Sequence, residues 1–184
     1  MIVAVWISTL VLAVAAIVLA AFASRPGKHW LVAPSALPVI IAIALWAAGA
    51  APPHPILGSF LVVVFLLLGV IAGSPAVGLV LRLATRGTVS LGSHGGILVR
   101  DASSPAPDRE ILRGGATIGY LERLALIGAV LAGQPAAVAL IVAIKGLGRF
   151  SELENEQARE RFIIGTLASL IWAGACVAAI GLRW

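Results

Sequence analysis

The chain has 184 residues, 60% hydrophobic and 11% charged, with a mean hydropathy of +1.06 and a formal net charge of +5. A soluble domain of this length cannot hide that much apolar surface, so the composition excludes a water-soluble globular fold. Basic residues flanking membrane spans account for the positive charge better than nucleic-acid binding does, and no aromatic-basic stripe supports the latter.

Four runs, residues 2–22, 31–50, 56–80 and 162–182, contain no Lys, Arg, Asp or Glu. Each holds about 20 residues, the length a helix needs to cross the hydrocarbon of a bilayer. The runs are continuous rather than alternating, which excludes a membrane β-barrel. The expected fold is therefore all-α: a polytopic transmembrane helical bundle of about six membrane segments.

In the first run, Ala21-Phe22-Ala23 resembles a signal-peptidase site. No basic residue precedes the run, and it is longer than a usual signal-peptide core, so we read it as a retained span. Arg25 and Lys28 follow it and mark the cytoplasmic side, which puts the N-terminus outside. The second span starts near Pro34 and Pro38 and returns to an outer connection, Ala51-Pro52-Pro53-His54-Pro55, that has no Lys or Arg. The third runs inward to Arg82 and Arg86, and Gly73-Ser74-Pro75 is expected to kink it because Pro75 lacks a backbone donor.

Residues 87–115 form a hydrophilic segment that Arg100, Arg109 and Arg113 place in the cytoplasm. Within it, 88–91 and 97–100 flank Gly92-Ser93-His94-Gly95-Gly96 in the manner of a small β-hairpin. Residues 101–108, with Ser103, Ser104, Pro105 and Pro107, read as a flexible connector. The segment is too short for a catalytic domain with its own core. The chain thus divides into three spans (1–86), a cytoplasmic segment (87–115), and a helical hairpin with a final span (116–184).

Two topologies fit residues 116–150. Residues 124–144 carry no formal charge and are long enough for one span, yet Gly133-Gln134-Pro135 reads as a helix stop followed by a helix start. If that tripeptide is an outer turn, two short helices form a hairpin and both ends stay cytoplasmic. Cytoplasmic segments then hold Arg25, Lys28, Arg82, Arg86, Arg100, Arg109, Arg113, Lys145, Arg149, Arg159 and Arg161, which is 11 of the 13 Lys and Arg. That count favours the hairpin, while the shortness of its arms favours a single span.

The hairpin has a geometric consequence. Glu122 and Lys145 lie at nearly equal distances from Gln134, so they would share one depth on adjacent antiparallel helices and pair. Arg123 would seek another acid or a lipid phosphate, since unpaired charge in a bilayer costs a few kcal/mol or more. On a functional reading these residues bind an ion, a proton or an anionic headgroup. On a structural reading Glu122 and Lys145 neutralise one another while Arg123 snorkels to the interface.

Residues 151–161 are polar and helix-prone, with Ser151 and Glu154 spaced as a capping box, and would feed the last span from the interface. In that span Gly165, Ser169 and Ala173 recur every four residues, a stripe suited to close packing within the chain. Cys176 has no second cysteine to pair with and reads as a small packing residue.

Taken in order, Ile118-Gly119-Tyr120-Leu121-Glu122-Arg123, Gly133-Gln134, Ala143-Ile144-Lys145, Arg149-Phe150 and Ile164-Gly165-Thr166-Leu167-Ala168-Ser169 resemble the C-terminal membrane region of a family of bacterial integral membrane proteins, a domain of unknown function. The resemblance covers about 50 residues, 118–169, and leaves the first three spans unexplained. Family members often carry a different N-terminal portion with a His/Asp-containing helix pair, which this chain lacks. The resemblance implies that Glu122, Arg123, Lys145, Arg149 and Thr166 act together as a polar binding cluster, and it implies no substrate or cofactor.

No catalytic constellation is visible. His29, His54 and His94 are dispersed, with His54 on the opposite side of the membrane, and make a poor metal site. The glycine-rich segment at His94 lacks the Gly-Lys-Ser/Thr ending of a nucleotide loop, and Ser93 lacks the context of a nucleophile elbow. No inverted repeat points to a transporter. We expect a multi-pass protein of the bacterial cytoplasmic membrane with both termini outside. The expected role is non-catalytic: a structural, accessory or lipid-interacting subunit without metal or cofactor. Its partners would be membrane lipids, a second copy, or a larger membrane protein. The alternative is a small transporter or channel using Glu122, Arg123 and Lys145, and a membrane enzyme acting on lipid headgroups ranks third.

Overall fold

A computed structural model describes residues 1–25, 28–84, 97–99, 109–111, 115–148 and 156–181. Within them the chain forms α1 (Ile2–Ala23), a 3-10 helix (His29–Ser35), α2 (Ala36–Ala47), α3 (Pro55–Ala84), β1 (Ile97–Val99), β2 (Arg109–Ile111), α4 (Gly115–Leu131), α5 (Ala137–Gly148) and α6 (Glu156–Ile180). Apart from the short β1–β2 pair, it is a helical bundle of the membrane type. Four segments are long and apolar enough to cross a bilayer: α1, the 3-10 helix joined to α2, α3, and α6 from Ala158 onward.

Local sequence explains the joints. Pro34 lies in the 3-10 turn, and Pro38 falls in the first turn of α2, where its missing N–H has no partner to lose. Pro55 opens α3 for the same reason. Two helices end in a Schellman arrangement around a left-handed glycine. Gly49 has φ +73, with Gly49 N–H donating to Trp46 O and Ala50 N–H to Leu45 O. Gly133 has φ +71, with Gly133 N–H donating to Val130 O and Gln134 N–H to Ala129 O.

α3 is the axis of the bundle. It packs most extensively against α6 and also meets α1, the 3-10 helix and α4. Small residues set the approach: Thr9, Ala13, Ala16, Ala20 and Ala23 form the buried seam of α1. Ser169 and Ala173 are buried on α6, and Gly165 faces Val77 and Leu81 of α3, so the four-residue stripe is intrachain packing. Cys176 is fully buried against Gly69, a packing residue as its isolation implied.

The contacts define two ends. At one, Trp6 and Trp46 meet edge to face with centroids 6.0 Å apart. Their indole N–H groups donate to Ala50 O (3.0 Å) and Ala179 O (3.2 Å), tying α1, α2 and α6 beside the Ala51–Pro55 connection. At the other, the buried His29 ring lies against Gly78 of α3. Arg25, Lys28, Arg82, Lys145, Arg159 and Arg161 all belong to that second end.

α3 runs without a break through Pro75, which is fully buried within it. Residues 97–99 pair antiparallel with Arg109–Ile111, with Ile97 opposite Ile111, whereas the strand partner expected at 88–91 lies outside the described residues.

The hairpin turn rests on a backbone conformation that a Cβ disfavours. Gly133→Ala should therefore lower stability by about 1 kcal/mol in denaturant unfolding of the solubilised protein. An unchanged midpoint would show that the turn does not depend on it.

Candidate functional site

α4 and α5 are the two arms of the expected hairpin, joined at Gly133-Gln134-Pro135 and packed on each other. The turn fixes their register, so Glu122 and Lys145 meet as an ion pair in which Nζ donates to Oε2. Both side chains are largely shielded, and Lys145 Nζ also stands 5.8 Å from the Phe162 ring centroid on α6.

Arg123, one residue on, points the other way, into the seam of α3, α4 and α6. It is only 3% exposed, so it does not snorkel. Nor does it find an acid. Its Nε–H donates to Val70 O (3.0 Å), Nη1 to Ser169 Oγ (3.2 Å) and Nη2 to Ser74 Oγ (2.7 Å). The guanidinium also lies 5.2 Å from the Tyr120 ring centroid. Gly115 starts α4 eight residues earlier, so Arg123 sits about 12 Å along the helix from its basic end.

Glycines make room for it. A Cβ at Gly73 would fall 2.4 Å from both Cδ and Nε of Arg123, and one at Gly119 would meet Nη1 at 3.1 Å. Gly73 and Ser74, which local sequence reading grouped with Pro75 as a site of bending, also serve Arg123: Gly73 admits the side chain and Ser74 binds it. Ser169, read as a small packing residue, is a guanidinium ligand as well. Both serines stand in short patterns read from the sequence, but those patterns pointed to bending and packing and not to a guanidinium.

Thr166 joins the cluster from α6. Its Oγ1 is buried and has no hydrogen-bond partner. It lines a small cavity of about 10 Å³ together with Glu122, Arg123, Lys145 and Ser169, with apolar residues of α4, α5 and α6 completing the lining. The structure thus brings together Glu122, Arg123, Lys145 and Thr166, while Arg149 lies outside the described residues.

No family model, curated protein or solved structure matches this chain. The arrangement itself must carry the chemistry. Among the described residues no group of three His, Cys, Asp or Glu is placed to hold a metal. His29 and His54 stand at opposite ends of the bundle, and His94 lies outside the described residues. A second hollow, of about 250 Å³, opens beside Trp46, Pro52, His54 and Ile180 at the tryptophan end. The polar cluster can neutralise charge and hold a small polar species, and it presents no nucleophile–base pair.

Gly73→Ala should destabilise the protein by about 1–3 kcal/mol through collision with Arg123. The control is Gly128→Ala on α4, whose added Cβ meets nothing within 4 Å. It should be neutral or stabilising by up to about 1 kcal/mol. Equal effects of the two in thermal unfolding would mean that Arg123 does not occupy this seam.

Proposed function

We propose that this protein is a non-catalytic structural or accessory subunit of a bacterial cytoplasmic membrane, packing with lipid and with a larger membrane-protein partner. The observation that carries this reading is that the interior charges are engaged by the protein's own groups. Glu122 is taken by Lys145, and Arg123 by Val70, Ser74 and Ser169. A translocation path needs polar groups facing a continuous opening, and the cavity at this cluster is only about 10 Å³. The alternative is a small transporter or channel that uses the same three charges, and Thr166's unpartnered hydroxyl is what favours it.

The proposed orientation puts the basic end in the cytoplasm and both termini outside. It is supported by Arg25, Lys28, Arg82, Lys145, Arg159 and Arg161 sharing one end of the bundle. Residues 87–115 and 152–161 would then face the cytoplasm as docking surfaces.

Two experiments test this. In mild detergent, a membrane-protein partner should co-purify with the intact chain and be lost when residues 87–115 are deleted, with the remaining bundle still monodisperse. Instead, solute flux in vesicles that Glu122→Gln abolishes without loss of folding would establish the transporter. For orientation, Cys176 is replaced by Ala and single cysteines are placed at Gln134 and Ser151. Gln134→Cys should label from outside and Ser151→Cys from inside, whereas the reverse pattern would invert the topology.

A further inference from the structure

Among the described residues, the charges at the α4–α5–α6 cluster do not sum to zero. Arg123 and Lys145 contribute two positive charges and Glu122 one negative, which leaves one positive charge in a low-dielectric region. The three hydrogen bonds that Arg123 makes go to neutral acceptors, and they use three of its five N–H groups. Beside it, Thr166 Oγ1 is buried with no partner and lines the same small cavity. Burying a hydroxyl without a partner costs about 1–3 kcal/mol, so the site has both an uncancelled charge and an unused donor.

We infer that this cavity is a binding site for one monatomic anion, of the size and charge of chloride, held by the Arg123 guanidinium and the Thr166 hydroxyl. Size selects the class. A space of about 10 Å³ suits one small sphere rather than phosphate, sulfate or a lipid headgroup. Charge separates the ion from water, because only an anion cancels the excess positive charge. Lys145 adds a second cation on the cavity wall, and Glu122, which opposes the anion, is already engaged by that lysine. The ion would complete the joint between α4 and α6 and needs no partner or transport step, so the inference goes beyond the proposed function.

The test is thermal unfolding of the purified full-length protein in detergent, in sodium chloride or bromide against sodium gluconate at equal ionic strength. An anion at ten times its Kd should raise Tm by about 3 °C or more. Thr166→Val keeps the side-chain shape and removes the donor. It should lose most of this halide increment while unfolding in gluconate no earlier than the wild type. A wild-type Tm that is the same in halide and gluconate would overturn the proposal and leave water as the occupant. An increment that Thr166→Val retains in full would overturn it too, by placing the halide effect elsewhere.

Discussion

Arg123 is the constraint around which the bundle is arranged. A guanidinium at the centre of a helix in a bilayer costs about 2.5–3.5 kcal/mol on insertion scales unless protein groups replace its hydration. Here two neighbouring helices supply those groups: the Val70 carbonyl and Ser74 hydroxyl of α3, and the Ser169 hydroxyl of α6. Each bond fixes a distance between α4 and another helix. The cation therefore works as a polar pin, and lipid tails offer nothing to compete for it.

The pin operates only where backbones come close. Gly73 and Gly119 clear a channel for the Arg123 side chain, and further along α3 Gly69 receives Ile127 and Cys176. Toward the tryptophan end, Trp172 Nε1 lies 3.4 Å from Leu68 O, so α6 is tied to the α3 backbone at a second level. Helix packing in lipid gains little from the hydrophobic effect, so shape and these few polar bonds decide which helices associate. Apolar faces that would be a defect in water, such as Leu140, Ile144 and Leu147 on α5, are suited to acyl chains.

What could be read from the sequence depended on whether a covalent turn fixed the geometry. The Glu122–Lys145 contact was legible because both residues lie at similar distances from Gly133-Gln134, and a tight turn sets depth by counting. The spans followed from run length, with α3 extending to Ala84, beyond the uncharged run. The ligands of Arg123 were not legible. Ser74 and Ser169 belong to helices whose rotation and register against α4 are set by packing rather than by a short loop. Arg123 was expected to meet an acid or escape to the interface because both rules concern isolated charges. A ring of neutral acceptors across two other helices leaves no pattern in a one-dimensional reading.

The same reasoning explains why α5 exists. It has only 12 residues and no fully buried one, and it packs principally on α4. Its apolar face alone gives little reason for it to stay there, since lipid would cover that face equally well. Lys145 supplies the reason. Without α5, α4 would carry Glu122 into the membrane beside Arg123, whose side chain is already committed to the opposite seam. A carboxylate left there would have to draw in water or find another cation. By folding back at Gly133, the chain delivers an ammonium to the same depth and leaves α4 with a paired acid on one face and a bonded base on the other. The hairpin is best understood as the means by which a helix with two adjacent charges can remain in the bilayer.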